Sequence, residues 1–250
     1  MAEQTLETEM EFAVQMTCSG CVEDVKKVLE NQAGVNHFYI NLENELVLVR
    51  STLPSSKVQE LLEETGKLVV FRGYGGATQQ AASHQEQLPH YGAAVAIMKG
   101  SGGVKGLARM VQVTPEKCVI EGTVDGLSST GEYTVAFHEY GDLSEGCMSC
   151  GNVFGTPLSK MSGLLGTVKA DNAGRATFYY TSDQFSIPDL IGRSMLVHSG
   201  CGPYTTARVM CGIVARSAGL FQNKKKVCTC DGITIWDEAA KRQDAMKSVL

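Results

Sequence analysis

Residues 12–34 read FAVQMTCSGCVEDVKKVLENQAG, a run in which two periodicities meet at a pair of cysteines. Phe12, Val14 and Met16 alternate with other residues and predict a strand. Val22, Val25, Val28 and Leu29 share one face of a helix, which Gly34 is placed to stop. Between them Cys18 and Cys21 form CxxC, so both sulfurs can turn to one ion. Soft thiolates favour Cu(I) or zinc. Two cysteines with no histidine nearby undersupply tetrahedral zinc but satisfy Cu(I), which accepts two ligands. Cys21 falls at the helix start, where free N–H groups and the helix dipole stabilise a thiolate. Met16 is expected to pack beneath the loop. A buried inert pair, or a redox pair of the thioredoxin kind in a different element order, are the alternatives.

Outward from this stretch, HFYI (37–40) and LVLVR (46–50) flank the turn-like NLENE and predict an antiparallel pair. A second helix is expected from Ser56, with Gln59 completing a Ser-x-x-Gln capping box, Val58, Leu61 and Leu62 facing inward and Gly66 closing it. LVVF (68–71) is the last strand. The order is βαββαβ over residues 9–76, a ferredoxin-like sandwich. Residues 77–90 are polar, lack periodicity and predict a linker. Over 91–219 short strands alternate with glycine-rich turns, the pattern of an all-β sandwich or barrel. Residues 220–250 carry NKKKVCTCDG and a short helical stretch, too little for a core. The fold class is therefore multidomain, α/β followed by all-β.

Hydrophobic residues make up 43% of the 250 and charged residues 20%, an ordinary globular balance. A net charge of -5 argues against nucleic acid, whose phosphates call for a basic face. MAEQTLETEM has no positive n-region and no apolar core, and no apolar run is long enough to span a bilayer, so a cytoplasmic, non-membrane protein is expected. Nine cysteines in a reducing compartment point to metal or thiol chemistry. Besides Cys18 and Cys21, Cys147 and Cys150 form a second CxxC and Cys228 and Cys230 form CxC; Cys118, Cys201 and Cys211 stand alone. Side chains two apart on an extended segment point the same way, so CxC can chelate one soft ion or form a strained, reactive disulfide. Lys224, Lys225 and Lys226 would favour its thiolates; a solvated lysine face is the plainer reading of that run.

MTCSGC in the βαββαβ frame resembles the MxCxxC motif of the heavy-metal-associated domain found in copper chaperones and copper-pumping ATPases. AVAIMKGSGGVKGLARM (94–110), CVIEGTVDGL (118–127), FHEYGDLSEGC (137–147), GTVKADNAGRATF (166–178), IGRSMLVH (191–198) and ARVMCGIVA (207–215) resemble Cu/Zn superoxide dismutase, in order. The resemblance puts that family's four copper histidines on Ala136, His138, Val153 and His198, so two of four are kept. Its zinc aspartate falls on Leu164, its further zinc histidines are absent from a shortened stretch between Val153 and Gly166, and its active-site arginine falls on Arg208. The resemblance implies a Cys147–Cys211 disulfide, no zinc in the barrel and no dismutase activity. His138, His198 and Cys201 are expected to be polar rim residues rather than a residual metal site.

ARSAGLFQNKKKVCTCDGITIWDE (215–238) resembles the C-terminal segment of the copper chaperones for superoxide dismutase, and with three modules in this order the chain is identified as a member of that family. The resemblance implies that Cys18 and Cys21 capture Cu(I). It implies a barrel that docks on a Cu/Zn superoxide dismutase monomer as a heterodimer. Cys228 and Cys230 would then pass copper by ligand exchange and promote the target's disulfide. It is compatible with a homodimer, with a copper importer as donor and with a pool in the mitochondrial intermembrane space. The shortened stretch after Val153 would weaken docking or move it to another surface. Two other readings compete: a residual dismutase, against which Ala136 and Val153 count, and a general Cu(I) buffer with a vestigial docking domain.

Overall fold

The computed structural model describes residues 6–76, 91–155, 163–202, 207–223, 234–237 and 239–240. The chain divides into two compact units, one formed by residues 1–88 with 218–250 and the other by residues 89–217. The expected linker 77–90, the cysteines at 228 and 230 and most of the C-terminal helical stretch lie outside the described residues.

The first unit is built from β1 (Thr8–Val14), α1 (Ser19–Glu30), β2 (Val35–Asn41), β3 (Leu46–Ser51), α2 (Ser55–Glu63) and β4 (Val69–Gly76), the βαββαβ order expected. Its antiparallel sheet runs β2-β3-β1-β4. Because side chains alternate across a strand, the register puts Met10, Phe12 and Val14 on one face beside Val47 and Val49 of β3 and Val69, Phe71 and Tyr74 of β4. Val25 and Leu29 of α1 and Val58 and Leu62 of α2 are fully buried with this apolar face. Phe71 meets the rings of Phe12 and Tyr74 edge to face, at 5.4 and 5.7 Å. The polar face carries Glu9 and Glu11.

Two helix ends differ from expectation. α2 begins at Ser55, not Ser56, with Pro54 at the N-cap and no side-chain cap; Gln59 Nε2 instead donates to Glu63 Oε1 at 2.8 Å. The proline ring fixes φ and delivers an extended residue from which the helix starts at once. α1 stops at Glu30, and Gly34, at φ +92°, serves the turn into β2. There a Cβ would lie 2.9 Å from Leu53 Cγ.

The second unit holds β5 (Ala93–Gly100), β6 (Lys105–Gln112), β7 (Cys118–Asp125), β8 (Glu132–His138), β9 (Leu164–Lys169), β10 (Ala176–Ser182), the short α3 (Ile187–Leu190), β11 (Ser194–Ser199) and β12 (Arg208–Arg216). All pairings are antiparallel, in the order β10-β7-β6-β5-β12-β11-β8-β9, and the approach of β9 to β10 nearly closes the barrel. Inward-facing Met98, Met110, Ile120, Val135, Phe137, Met195 and Val197 fill it. Alternation then sends Thr134, Ala136 and His138 of β8 and Ser194, Leu196 and His198 of β11 to the outer face. That face is covered by the segment 139–155, whose turn at Gly146–Cys150 packs Cys150 on Leu196 and Cys211.

Candidate functional site

Cys18 is the N-cap of α1 and Cys21 lies in its first turn, so the helix geometry brings the two sulfurs to 3.6 Å. Cys18 is exposed and Cys21 half-buried. Bonding from the backbone at Thr17 and from the Cys18 thiol lowers Cys21 to about 7. No acidic residue occupies the first turn to oppose a thiolate there. Met16 is buried, 4% exposed, beneath the loop as expected. Thr17, which the sequence reading passed over, places its hydroxyl 3.9 Å from Cys21 Sγ; only its position inside the motif signalled it. The pair is therefore accessible and close, with the Cys21 thiolate favoured near neutrality, the properties of a soft-metal or thiol-exchange site.

The barrel's outer face is a different matter. His138 and His198, sixty residues apart, meet with Nε2 3.0 Å from Nε2. They are 1% and 0% exposed, which corrects the expectation of rim residues: alternation fixed their face, and the segment 139–155 buries that face. His138 Nδ1 lies 3.0 Å from the Gly151 carbonyl. A carbonyl only accepts, so Nδ1 carries the proton, His138 Nε2 accepts, and His198 Nε2–H donates to it. Burial pushes His138 down to about 4; the Gly151 bond opposes this in part, and His198 and Arg208 lower it further. Cys201 stands apart, exposed, and its thiol donates to Glu132 Oε2 at 3.0 Å.

The positions to which the resemblance assigns the remaining dismutase ligands carry other residues. Ala136 is buried and apolar, and Val153 bridges to His138 through its backbone. Leu164 is an exposed strand residue paired with Ala136. Arg208 is spent on the covering segment: Nη1 donates to the Cys147 carbonyl at 2.6 Å and Nη2 to that of Gly151 at 2.6 Å. Among the described residues no three histidine, cysteine or acidic side chains group to hold a metal. The two imidazoles close directly on one another, so among the described residues this pair does not fit a resident copper or copper–zinc centre as placed.

Cys147 and Cys211 are joined in a disulfide that ties the covering segment to β12. Cys150, buried beside it, donates weakly to the Asp142 carbonyl at 3.4 Å. Cys118 is buried in the barrel core, and desolvation pushes it up to about 12.

Comparison with known proteins gives two domain matches. The heavy-metal-associated domain family matches residues 11–67 and the copper/zinc superoxide dismutase family residues 104–214. The chain is 45% identical over 254 residues to the copper chaperone for superoxide dismutase of Homo sapiens, covering 93% of this chain and 89% of that protein. It is 32% identical over 248 residues to the superoxide dismutase 1 copper chaperone of Saccharomyces cerevisiae, covering 95% of each. A chloroplastic copper chaperone for superoxide dismutase of Oryza sativa is 34% identical over 232 residues, 92% of this chain and 70% of that protein.

Proposed function

The chain belongs to the family of copper chaperones for superoxide dismutase, and from that premise we propose that it carries Cu(I) on Cys18 and Cys21 and delivers it to a Cu/Zn superoxide dismutase. The observation that carries this reading is the exposed thiol pair, 3.6 Å apart at the start of α1, in a chain whose dismutase-like barrel has its histidine pair closed and its other ligand positions apolar. A chain with a soft-metal thiol pair and, among the described residues, no grouped ligands for a dismutase centre is a carrier rather than a dismutase.

Copper is cargo here. With metal–sulfur bonds of about 2.3 Å, the present spacing subtends roughly 100° at the ion. Near-linear Cu(I) therefore requires the sulfurs to part by about 1 Å, a small motion for a thiol at an exposed N-cap. Transfer proceeds by ligand exchange: each incoming thiolate replaces an outgoing one and the ion stays Cu(I). Cys228 and Cys230 reach the target site and pass copper to it. When they are oxidised to a disulfide, a target thiolate attacks one sulfur, a second target thiolate resolves the mixed disulfide, and Cys228 and Cys230 leave as thiols. Two electrons pass from the target to the CxC, and dioxygen reoxidises it.

The barrel serves as the docking module, pairing with a dismutase monomer as a heterodimer in place of a second copy, and holds no zinc. A copper importer supplies the ion, and the protein works in the cytoplasm with a pool in the mitochondrial intermembrane space. The functional division is 9–76 for capture, 77–90 as linker, 91–219 for docking and 220–250 for transfer.

The test is activation of a zinc-loaded, copper-free, disulfide-reduced dismutase by the Cu(I)-loaded chain, in air with excess Cu(I) chelator, beside Cys228→Ser/Cys230→Ser. Restored activity and target disulfide with the wild type alone support the reading. Failure of both, with Cu(I) still held at Cys18 and Cys21, makes the chain a Cu(I) buffer with a vestigial docking domain.

A further inference from the structure

The polar face of the first sheet is not open. Glu9 and Glu11 of β1 are only 7% and 4% exposed, and in the register they stand beside Gly75 and Gly73 of β4. Over those two glycines runs Ala218–Gln222, the segment that follows β12 and belongs to the same compact unit. β4 is an edge strand, and the Tyr74 amide donates to the Ala218 carbonyl at 3.4 Å. The chain then crosses the strand. A Cβ on Gly73 would lie 2.5 Å from the Gly219 carbonyl oxygen, and one on Gly75 2.6 Å from Leu220 Cδ1. At the far side the Phe221 amide donates to Glu11 Oε2 at 2.5 Å.

Several of these features have no purpose in an unoccupied sheet. Glycine weakens a strand interior and marks a site where another backbone approaches closely, and here two of them alternate on one face. A carboxylate buried to 4% exposure is costly without donors, and Phe221 supplies one. Phe221 itself sits at φ +61°, a conformation a non-glycine residue keeps only where its surroundings hold it. Gln222 closes the turn, its side-chain oxygen accepting from the Gly219 amide at 2.9 Å.

We propose that Ala218–Gln222 is a built-in docking peptide, that the glycine-lined polar face of β4 and β1 is its seat, and that this strap fixes where the C-terminal arm begins. Cys228 lies seven positions beyond Phe221, and Cys18 seven beyond Glu11. At no more than about 3.5 Å per residue, Cys18 and Cys228 stay within roughly 25 Å of the one hydrogen bond between Phe221 and Glu11, and Cys21 and Cys230 within roughly 35 Å. The two pairs share one chain, and the strap shortens the tether between them and so raises the effective concentration at which they meet. The consequence for copper rests on the carrier reading above; the docking does not.

The test uses the full chain and two variants. Leu220→Asp alters only the strap, so the module beneath it keeps its own core; Gly75→Val alters only the seat. Amide hydrogen exchange at Phe221 reads the docking, and mild oxidation with diamide, followed by mass mapping of the monomer fraction, reads the yield of disulfides joining Cys18 or Cys21 to Cys228 or Cys230. The wild-type Phe221 amide is expected to exchange at least about tenfold more slowly than in an open peptide, and both variants to lose that protection and most of the cross-link, roughly fivefold or more. A wild-type amide at the open-peptide rate, or equal cross-linking in all three proteins, overturns the proposal. Neither readout involves copper, so failure of Cu(I) to protect Cys18 and Cys21 from alkylation would overturn the carrier reading alone.

Discussion

Nε2 of His138 and Nε2 of His198 lie 3.0 Å apart on the outer face of the barrel, with Nδ1 of His138 bound to the Gly151 carbonyl. The contact joins β8 to β11 and both to the segment that covers them. It needs a neutral His138, because its accepting nitrogen would otherwise carry a proton toward a donor.

The barrel is therefore expected to be acid-sensitive. The folded-state pKa of His138 is about 4 against 6.5 for the free group, so between these values the unfolded chain binds the proton more readily. Stability attributable to this group is whole above about pH 6.5 and falls as the pH drops, by up to about 1.4 kcal/mol per pH unit. Urea unfolding between pH 7 and 4.5 should show that decline, and His138→Gln should flatten it. An unchanged slope in the variant would remove His138 as its source.

Cys21 should alkylate with a half-maximal rate near pH 7, where its thiolate forms. Removing the neighbouring donor, Cys18→Ala, should move that midpoint upward. Cys118 is the internal contrast. Buried, and with its pKa pushed up to about 12, it should stay unmodified by iodoacetamide at pH 8 until the barrel unfolds. Peptide mapping after timed alkylation measures both at once.

The Cys147–Cys211 bridge closes a loop of 64 residues. The chain-entropy relation assigns such a loop about 4 kcal/mol. Cys211→Ala, compared with the oxidised wild type by denaturant titration, should lower the barrel's stability by an amount of this order. A difference below about 1 kcal/mol would mean that the covering segment is held by its hydrogen bonds instead.

Those bonds centre on Arg208, whose guanidinium reaches the carbonyls of Cys147, Met148 and Gly151. Arg208→Met should leave these carbonyls short of donors and destabilise the barrel by about 2 kcal/mol. Arg208→Lys should recover little, since an ammonium cannot fork to carbonyls on both sides. Thermal unfolding gives the loss, and faster exchange of the amides at 147–151 would localise it. Wild-type exchange in the lysine variant would refute the forked role.

Local signals made much of this legible. The βαββαβ order followed from periodicity in Phe12–Met16 and Val22–Leu29, and the eight barrel strands from alternation between glycine turns. Helix ends were less legible: Pro54 started α2 one residue before the serine that looked like its cap. The thiol pair at Cys18 and Cys21 was readable because three residues of spacing become one contact across the first turn of a helix. The favoured thiolate at Cys21 followed from its place at the helix start; the part of Thr17 did not, since it depends on where a hydroxyl points.

The sequence by itself determined the modules and the soft-metal motif, because each is a matter of residue type and local spacing, and its resemblance to Cu/Zn superoxide dismutase marked the replaced ligands at Ala136, Val153 and Leu164. Only the tertiary structure decided what covers what. Alternation put His138 and His198 on one face but could not say that the segment 139–155 would bury them. Nor could the spacing of Gly73 and Gly75 announce Gly219 and Leu220, more than 140 residues away. Burial and close approach depend on which distant segments become neighbours, and that is settled by packing, not by the pattern along any one strand.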